Sequence, residues 1–113
     1  MTLLLQRADF FIQDFEIQGD WYIRRANDEI ARRYLQSLEA TLRLLCLHPG
    51  LGVLRRFRHP KLKGLRSFRV HPPFERHLIF YRCDSSTLYA ERVIHGARDL
   101  PRRLIEPPED STD

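Results

Sequence analysis

Residues 64–99, GLRSFRVHPPFERHLIFYRCDSSTLYAERVIHGARD, restrict the fold more than any other part of the chain. They predict three consecutive antiparallel strands. In 65–71, Phe68 and Val70 fall on one side and Ser67, Arg69 and His71 on the other, the period-2 pattern of a strand with one wet face. Residues 76–83 carry the run Leu78, Ile79, Phe80 and Tyr81 with neither face polar, which predicts a central strand covered on both sides. Tyr81 is expected in the core, its hydroxyl paired at the sheet edge of that core. After the turn residues Asp84, Ser85 and Ser86, residues 87–95 place Leu88, Ala90 and Ile94 on one face and Tyr89, Val93 and His95 on the other.

Ahead of these strands the apolar period changes to that of a helix. Residues 2–7 form a short apolar strand. From Ala8 and Asp9 onward, Phe11, Ile12, Phe15 and Tyr22 recur at steps of three and four, with Gly19 inside the same window. Asn27 reads as the N-cap of a second helix that reaches about residue 47. Its stripe is Ala31, Tyr34, Leu35, Leu38, Leu42 and Leu45, and Pro49-Gly50 stops it. The fold class that follows is α+β: an N-terminal strand, then an antiparallel two-helix hairpin packed on one face of a mostly antiparallel sheet of about four strands. Residues 48–63 hold too many breakers for a regular element and read as a charged connector. Past residue 96 come a short helical turn over 99–104 and an acidic, Pro-rich tail. A domain over 1–105 is expected, with the tail at 106–113 disordered beyond Pro107.

A chain of 113 residues makes one domain with one core and needs no staples. No apolar run approaches the roughly 20 residues of a membrane helix. The N-terminus lacks the pattern of a signal peptide, and Cys46 and Cys83, with no ligand-like spacing, suit reduced thiols buried in a core; the expected location is the cytoplasm. The net charge of +4 conceals a strong asymmetry. Residues 55–83 carry Arg55, Arg56, Arg58, Lys61, Lys63, Arg66, Arg69, Arg76 and Arg82 against Glu75 alone, a net +8, whereas the tail carries Glu106, Glu109, Asp110 and Asp113. Such a stripe suits a polyanion or an acidic protein surface; the alternative is a solvated face over which the chain's own tail folds.

The sequence contains no phosphate-binding glycine loop, no H-E-x-x-H, no G-x-S-x-G and no Cys-x-x-Cys. His48, His59, His71, His77 and His95 are scattered, so neither a metal nor a cofactor is expected.

Several segments together carry a family likeness. Ala31 and Tyr34 on a leucine-rich helix, Pro49-Gly50-Leu51-Gly52 closing it, then R-S-F-R-V, R-H-L-I-F-Y-R and R-V-I-H-G-A-R-D resemble the ParE branch of the ParE/RelE superfamily, the toxins of type II toxin-antitoxin modules also called plasmid stabilisation proteins. The likeness spans residues 2 to about 104. It implies a bacterial cytoplasmic protein and a small acidic antitoxin, ParD- or RelB-like, in a toxin-antitoxin hetero-oligomer. Within the superfamily, ParE-like members are described as binding DNA gyrase and stalling it with cleaved DNA. RelE-like members are metal-independent endoribonucleases that cut mRNA on the ribosome. A third outcome is an inactive interaction domain of the same fold.

Cutting RNA requires a base for the 2′-hydroxyl, cations for the phosphate and an acid for the leaving oxygen. The terminal Tyr of RelE-like enzymes has no counterpart here, because no aromatic residue follows Tyr89. The groups that remain for catalysis are Arg69, His71, His95 and Arg98. Each has a plainer reading: His95 bonded to the turn or to Asp99, Arg98 paired with Asp99, and Arg69 with His71 docking acidic antitoxin residues. The expected binding set is Arg55, Arg56, Arg58, Lys61, Lys63, Arg66, Arg69, Arg76 and Arg98, for target or antitoxin.

Overall fold

Three strands form where the period-2 pattern places them: β3 (Arg66–Arg69), β4 (His77–Cys83) and β5 (Thr87–His95). Before them come β1 (Leu4–Arg7), α1 (Asp9–Arg25), α2 (Asp28–Leu47) and β2 (Val53–Leu54), and α3 (Leu100–Ile105) follows. The sheet order is β1-β5-β4-β3-β2, with β1 parallel to β5 and the other pairs antiparallel. The computed structural model describes residues 1–109, so the part of the expected disordered tail at 110–113 lies outside the described residues.

The helical hairpin covers one face, as expected. Phe11 of α1 and Tyr34, Leu38, Leu42 and Leu45 of α2 pack on Val70, Ile79, Tyr81, Leu88, Ala90 and Val93. Each of those large side chains contributes about 1.5–3 kcal/mol by leaving water. Asn27 caps α2 by accepting the Ile30 N–H at 2.9 Å. Ile12 and Leu35, expected in the buried stripes, are 38% and 39% exposed at their margins. Cys46 is buried, but Cys83 is exposed at the end of β4 rather than in the core.

The second face is covered as well. Leu62, Leu65, Phe80, Ile94, Leu100 and Leu104 form a smaller cluster in which α3 and the connector lie over the sheet. Central strand β4 is therefore apolar on both sides, which is why its sequence shows no alternation.

The face assignment along β5 requires correction. Phe80 pairs with Arg92 but Tyr81 pairs with Ala90, so Glu91 is an extra residue, a β-bulge. Past it the alternation flips. Val93 joins Leu88 and Ala90 against the helices, while Ile94 turns to the second cluster.

The connector is more regular than its breakers suggest. It contains two single 3-10 turns, Pro49–Leu51 and Pro60–Leu62, and the fifth strand, β2. The Tyr81 hydroxyl, reaching out of the core, donates to the Pro49 carbonyl at 2.6 Å and accepts the Gly52 N–H at 2.9 Å. A Cβ on Gly52 would stand 2.7 Å from Tyr81 Cε1 and closer still to the hydroxyl, so only glycine allows this approach. Tyr81→Phe leaves both backbone groups without that partner, and a loss of about 1–3 kcal/mol is expected in a urea titration. A midpoint unchanged from the parent would show that the hydroxyl does not hold β2.

Candidate functional site

β1 ends at Arg7, and Ala8 makes the last main-chain bond to β5, from its N–H to the Ala90 carbonyl at 2.9 Å. Beyond that point the edge of β5 is closed by side chains of α1. Asp14 accepts the Val93 N–H at 3.1 Å and Gln18 donates to the Val93 carbonyl at 2.8 Å. Asp14 lies three residues from Phe11, and Gln18 three from Phe15 and four from Tyr22, on the inward stripe of α1.

The bulge that flips β5 turns Arg92 to the α3 side of the sheet, where it is 5% exposed. Its guanidinium makes two bonds to the Asp14 carboxylate, at 2.7 and 2.9 Å. The remaining nitrogen, Nη1, donates to the carbonyls of Arg103, Leu104 and Glu106 at 2.8, 3.1 and 2.8 Å, which would otherwise be the open C-terminal end of α3. Burial raises the Asp14 carboxyl above its ordinary value, against the opposing pull of Arg92 and the Val93 N–H. One buried pair thus joins α1, β5 and α3.

Between α1, β5 and the chain past α3 runs a groove of about 420 Å³, with Trp21, Tyr22, His77, His95, Arg103 and Glu109 in its walls. His77, 2% exposed, shares the inward face of β4 with Ile79 and Tyr81. Its Nε2 lies 2.8 Å from the Tyr22 hydroxyl, and its ring packs 4.5 Å from Tyr34 and 4.8 Å from His95. Tyr34 in turn donates to Gln18. His77 Nδ1 has no partner among the described residues. Burial, with His95 beside it, lowers the His77 pKa to about 3, so the ring is neutral at ordinary pH.

That shift predicts a pH dependence of stability. An unfolded histidine titrates near 6.5, so between about 6.5 and 3 the unfolded chain holds a proton that the folded chain refuses. The contribution of His77 is complete above about pH 6.5 and falls by about 1.4 kcal/mol per pH unit below it. Asp14, whose shift is upward, adds a slope of opposite sign between its unfolded and folded values. Denaturant titrations at pH 7, 6 and 5 should show the loss in the parent and a flatter profile in His77→Phe; equal slopes would refute the assignment.

The four groups named for catalysis do not converge. Arg69 is paired across the sheet with Leu78 and Ile94, on the α3 side, and its guanidinium donates to the Glu75 carbonyl at 3.2 Å. His95 is paired with His77, on the helix side. The sheet itself stands between them. His71 lies past the end of β3, its N–H bonded to Thr41 Oγ1 at 3.0 Å, and Arg98 is exposed in the turn before α3. That turn is held differently from expectation. Arg103 donates to the carbonyls of His95 and Arg98, and Asp99 lies 3.7 Å from Arg102. Burial, then the cations Arg76 and Arg103, lowers the pKa of His95.

The basic stripe divides into two sets. Arg55, Arg66 and Arg82 are half-buried and fasten the connector to the sheet: Arg55 to Ser67 Oγ at 3.0 Å and over the rings of Phe57 and Phe80, Arg66 to the Gly52 carbonyl at 2.8 Å, Arg82 to the carbonyls of Lys61 and Lys63. Arg56, Arg58, Lys61, Lys63, Arg69 and Arg76 are exposed. Sequence reasoning could not separate the two sets, since charge alone does not show which guanidinium meets a carbonyl. It also passed over Asp14, Gln18, His77 and Arg92. Helical spacing from Phe11 marks the first two, and strand spacing from Ile79 marks His77. Arg92 depends on the bulge, which left no signal.

The result is an α+β domain with its helical hairpin on one sheet face, a basic connector on the other, and its candidate acid–base groups apart. Residues 7–100 match the family described as the ParE toxin of type II toxin-antitoxin systems, parDE, and the chain belongs to that family. Among solved structures, a chain of the chromosomal ParDE TA system from P. aeruginosa superposes with a TM-score of 0.68 over 85% of this chain and 98% of that one, at 16% identity, a likeness of fold. No curated protein matches the chain. Among the described residues no helix is long and apolar enough to cross a membrane.

Proposed function

We propose that this toxin arrests growth by binding DNA gyrase and stalling it with cleaved DNA, without hydrolysing anything itself, and that an acidic antitoxin neutralises it. The observation that carries the non-hydrolytic reading is the separation of Arg69 from His95 by the thickness of the sheet. Proton transfer requires donor and acceptor within about 3 Å of the reacting oxygens. Inhibition by binding requires only a complementary surface, and membership of the ParE family supports that reading. Expressed without an antitoxin, the chain should stop growth and induce a DNA-damage reporter while protein synthesis continues. An immediate block of translation with a silent reporter would favour the ribonuclease instead.

The exposed set Arg56, Arg58, Lys61, Lys63, Arg69 and Arg76 supports an acidic partner. Attraction between opposite charges steers encounter and is screened by salt. The association rate constant with the antitoxin should therefore fall about tenfold or more between low and high salt. A rate constant flat across that range would remove the electrostatic part of the proposal.

A further inference from the structure

The sheet has two outer strands, and they differ. At the β1 edge, Leu4 is 71% exposed, but the nearby cation Arg7 already binds both oxygens of Glu39, at 2.6 and 2.7 Å. The cation of that strand is thus already neutralised. At the other edge, Leu51, Val53 and Leu54 are 48%, 68% and 44% exposed, and the exposed cations Arg56 and Arg58 follow immediately.

The backbone of β2 is set to accept a further strand. Val53 is the partner of Ser67, and the Arg55 N–H donates to the Leu65 carbonyl at 2.8 Å. Main-chain groups alternate in direction along a strand, so Val53 and Arg55 turn theirs toward β3 and Leu54 turns its N–H and C=O outward. The strand is also held firmly: Tyr81 and Arg66 bind the two backbone groups of Gly52 on one side, and Arg55 grips Ser67 on the other. Proteins keep an edge unpaired by placing charge on it. Here the edge positions are apolar and the charge comes just after them, an arrangement suited to receiving a strand of matching pattern.

We infer that β2 is a strand-addition site for the antitoxin, taking an extended segment that lays alternate apolar side chains along Leu51, Val53 and Leu54 and sets carboxylates against Arg56 and Arg58. This rests on the antitoxin reading given above. Main-chain hydrogen bonds supply the affinity in such a mode, and side-chain alternation with charge supplies the specificity. The described part of the chain's own acidic segment lies elsewhere: Glu106, Pro107 and Glu109 line the groove against α1, at the β5 side of the sheet.

The test is amide hydrogen exchange on the full chain, alone and bound to the antitoxin encoded beside it, together with the affinity of Leu54→Pro, which lacks the outward N–H. Binding should slow exchange at Leu54 by about a hundredfold, and Leu54→Pro should weaken binding by about tenfold or more. If the antitoxin fails to bind the unsubstituted chain, the antitoxin reading fails and this inference with it. If it binds while Leu54 exchanges as before, only the strand addition is wrong, whatever the folding of the variant. Protection that grows with toxin concentration alone would assign the edge to a second copy of the chain and overturn the inference.

Discussion

Arg92→Met is expected to cost about 3–5 kcal/mol of folding stability. The substitution leaves the Asp14 carboxylate buried without its cation and the carbonyls of Arg103, Leu104 and Glu106 without their donor. Asp14 keeps the Val93 N–H, which alone does not offset its removal from water. Adding Asp14→Leu to Arg92→Met should recover part of the loss, since no lone charge then remains inside. Recovery stays partial because the Val93 N–H and the α3 carbonyls are still unsatisfied. Denaturant midpoints of the parent, both single variants and the double variant measure the coupling. A loss below about 1 kcal/mol for Arg92→Met would mean that the pair does not join the three elements.

The second large effect is on toxicity. Arg56→Glu with Arg58→Glu is expected to abolish growth arrest, because reversing two exposed cations turns attraction for an acidic surface into repulsion, a change of about a hundredfold or more in binding. Arg55 is left in place, since its guanidinium holds Ser67 and covers Phe80. By contrast, His71→Ala with His95→Ala should remain toxic, provided that thermal unfolding shows a folded chain. Growth curves after induction decide between the two pairs. A histidine variant that is folded and harmless would point to chemistry at the histidines and away from binding.

Fold and site were legible in the sequence to different degrees. Alternation in Phe68 and Val70, the unbroken run Leu78–Tyr81 and the 3.6 period of Tyr34, Leu38, Leu42 and Leu45 each report burial directly, and burial determines the layers. The single-residue bulge at Glu91 produces no composition signal, yet it reverses Val93 and Ile94 and moves Arg92 to the α3 face. β2 was missed for a similar reason. Two residues give no period, and the strand forms because Tyr81, 29 positions away, supplies a hydroxyl to Gly52. The candidate site shows the same limit: Arg69 and His95 look alike as polar residues near strand ends, and only the register places them on opposite faces.

The most direct test of the account is to incubate the purified chain with DNA gyrase and supercoiled DNA and, in parallel, with translating ribosomes and mRNA. The account predicts trapped gyrase–DNA cleavage products at toxin concentrations that leave the mRNA intact by primer extension, with the Arg56→Glu, Arg58→Glu variant inactive in the gyrase reaction. Cut mRNA beside fully active gyrase would contradict it.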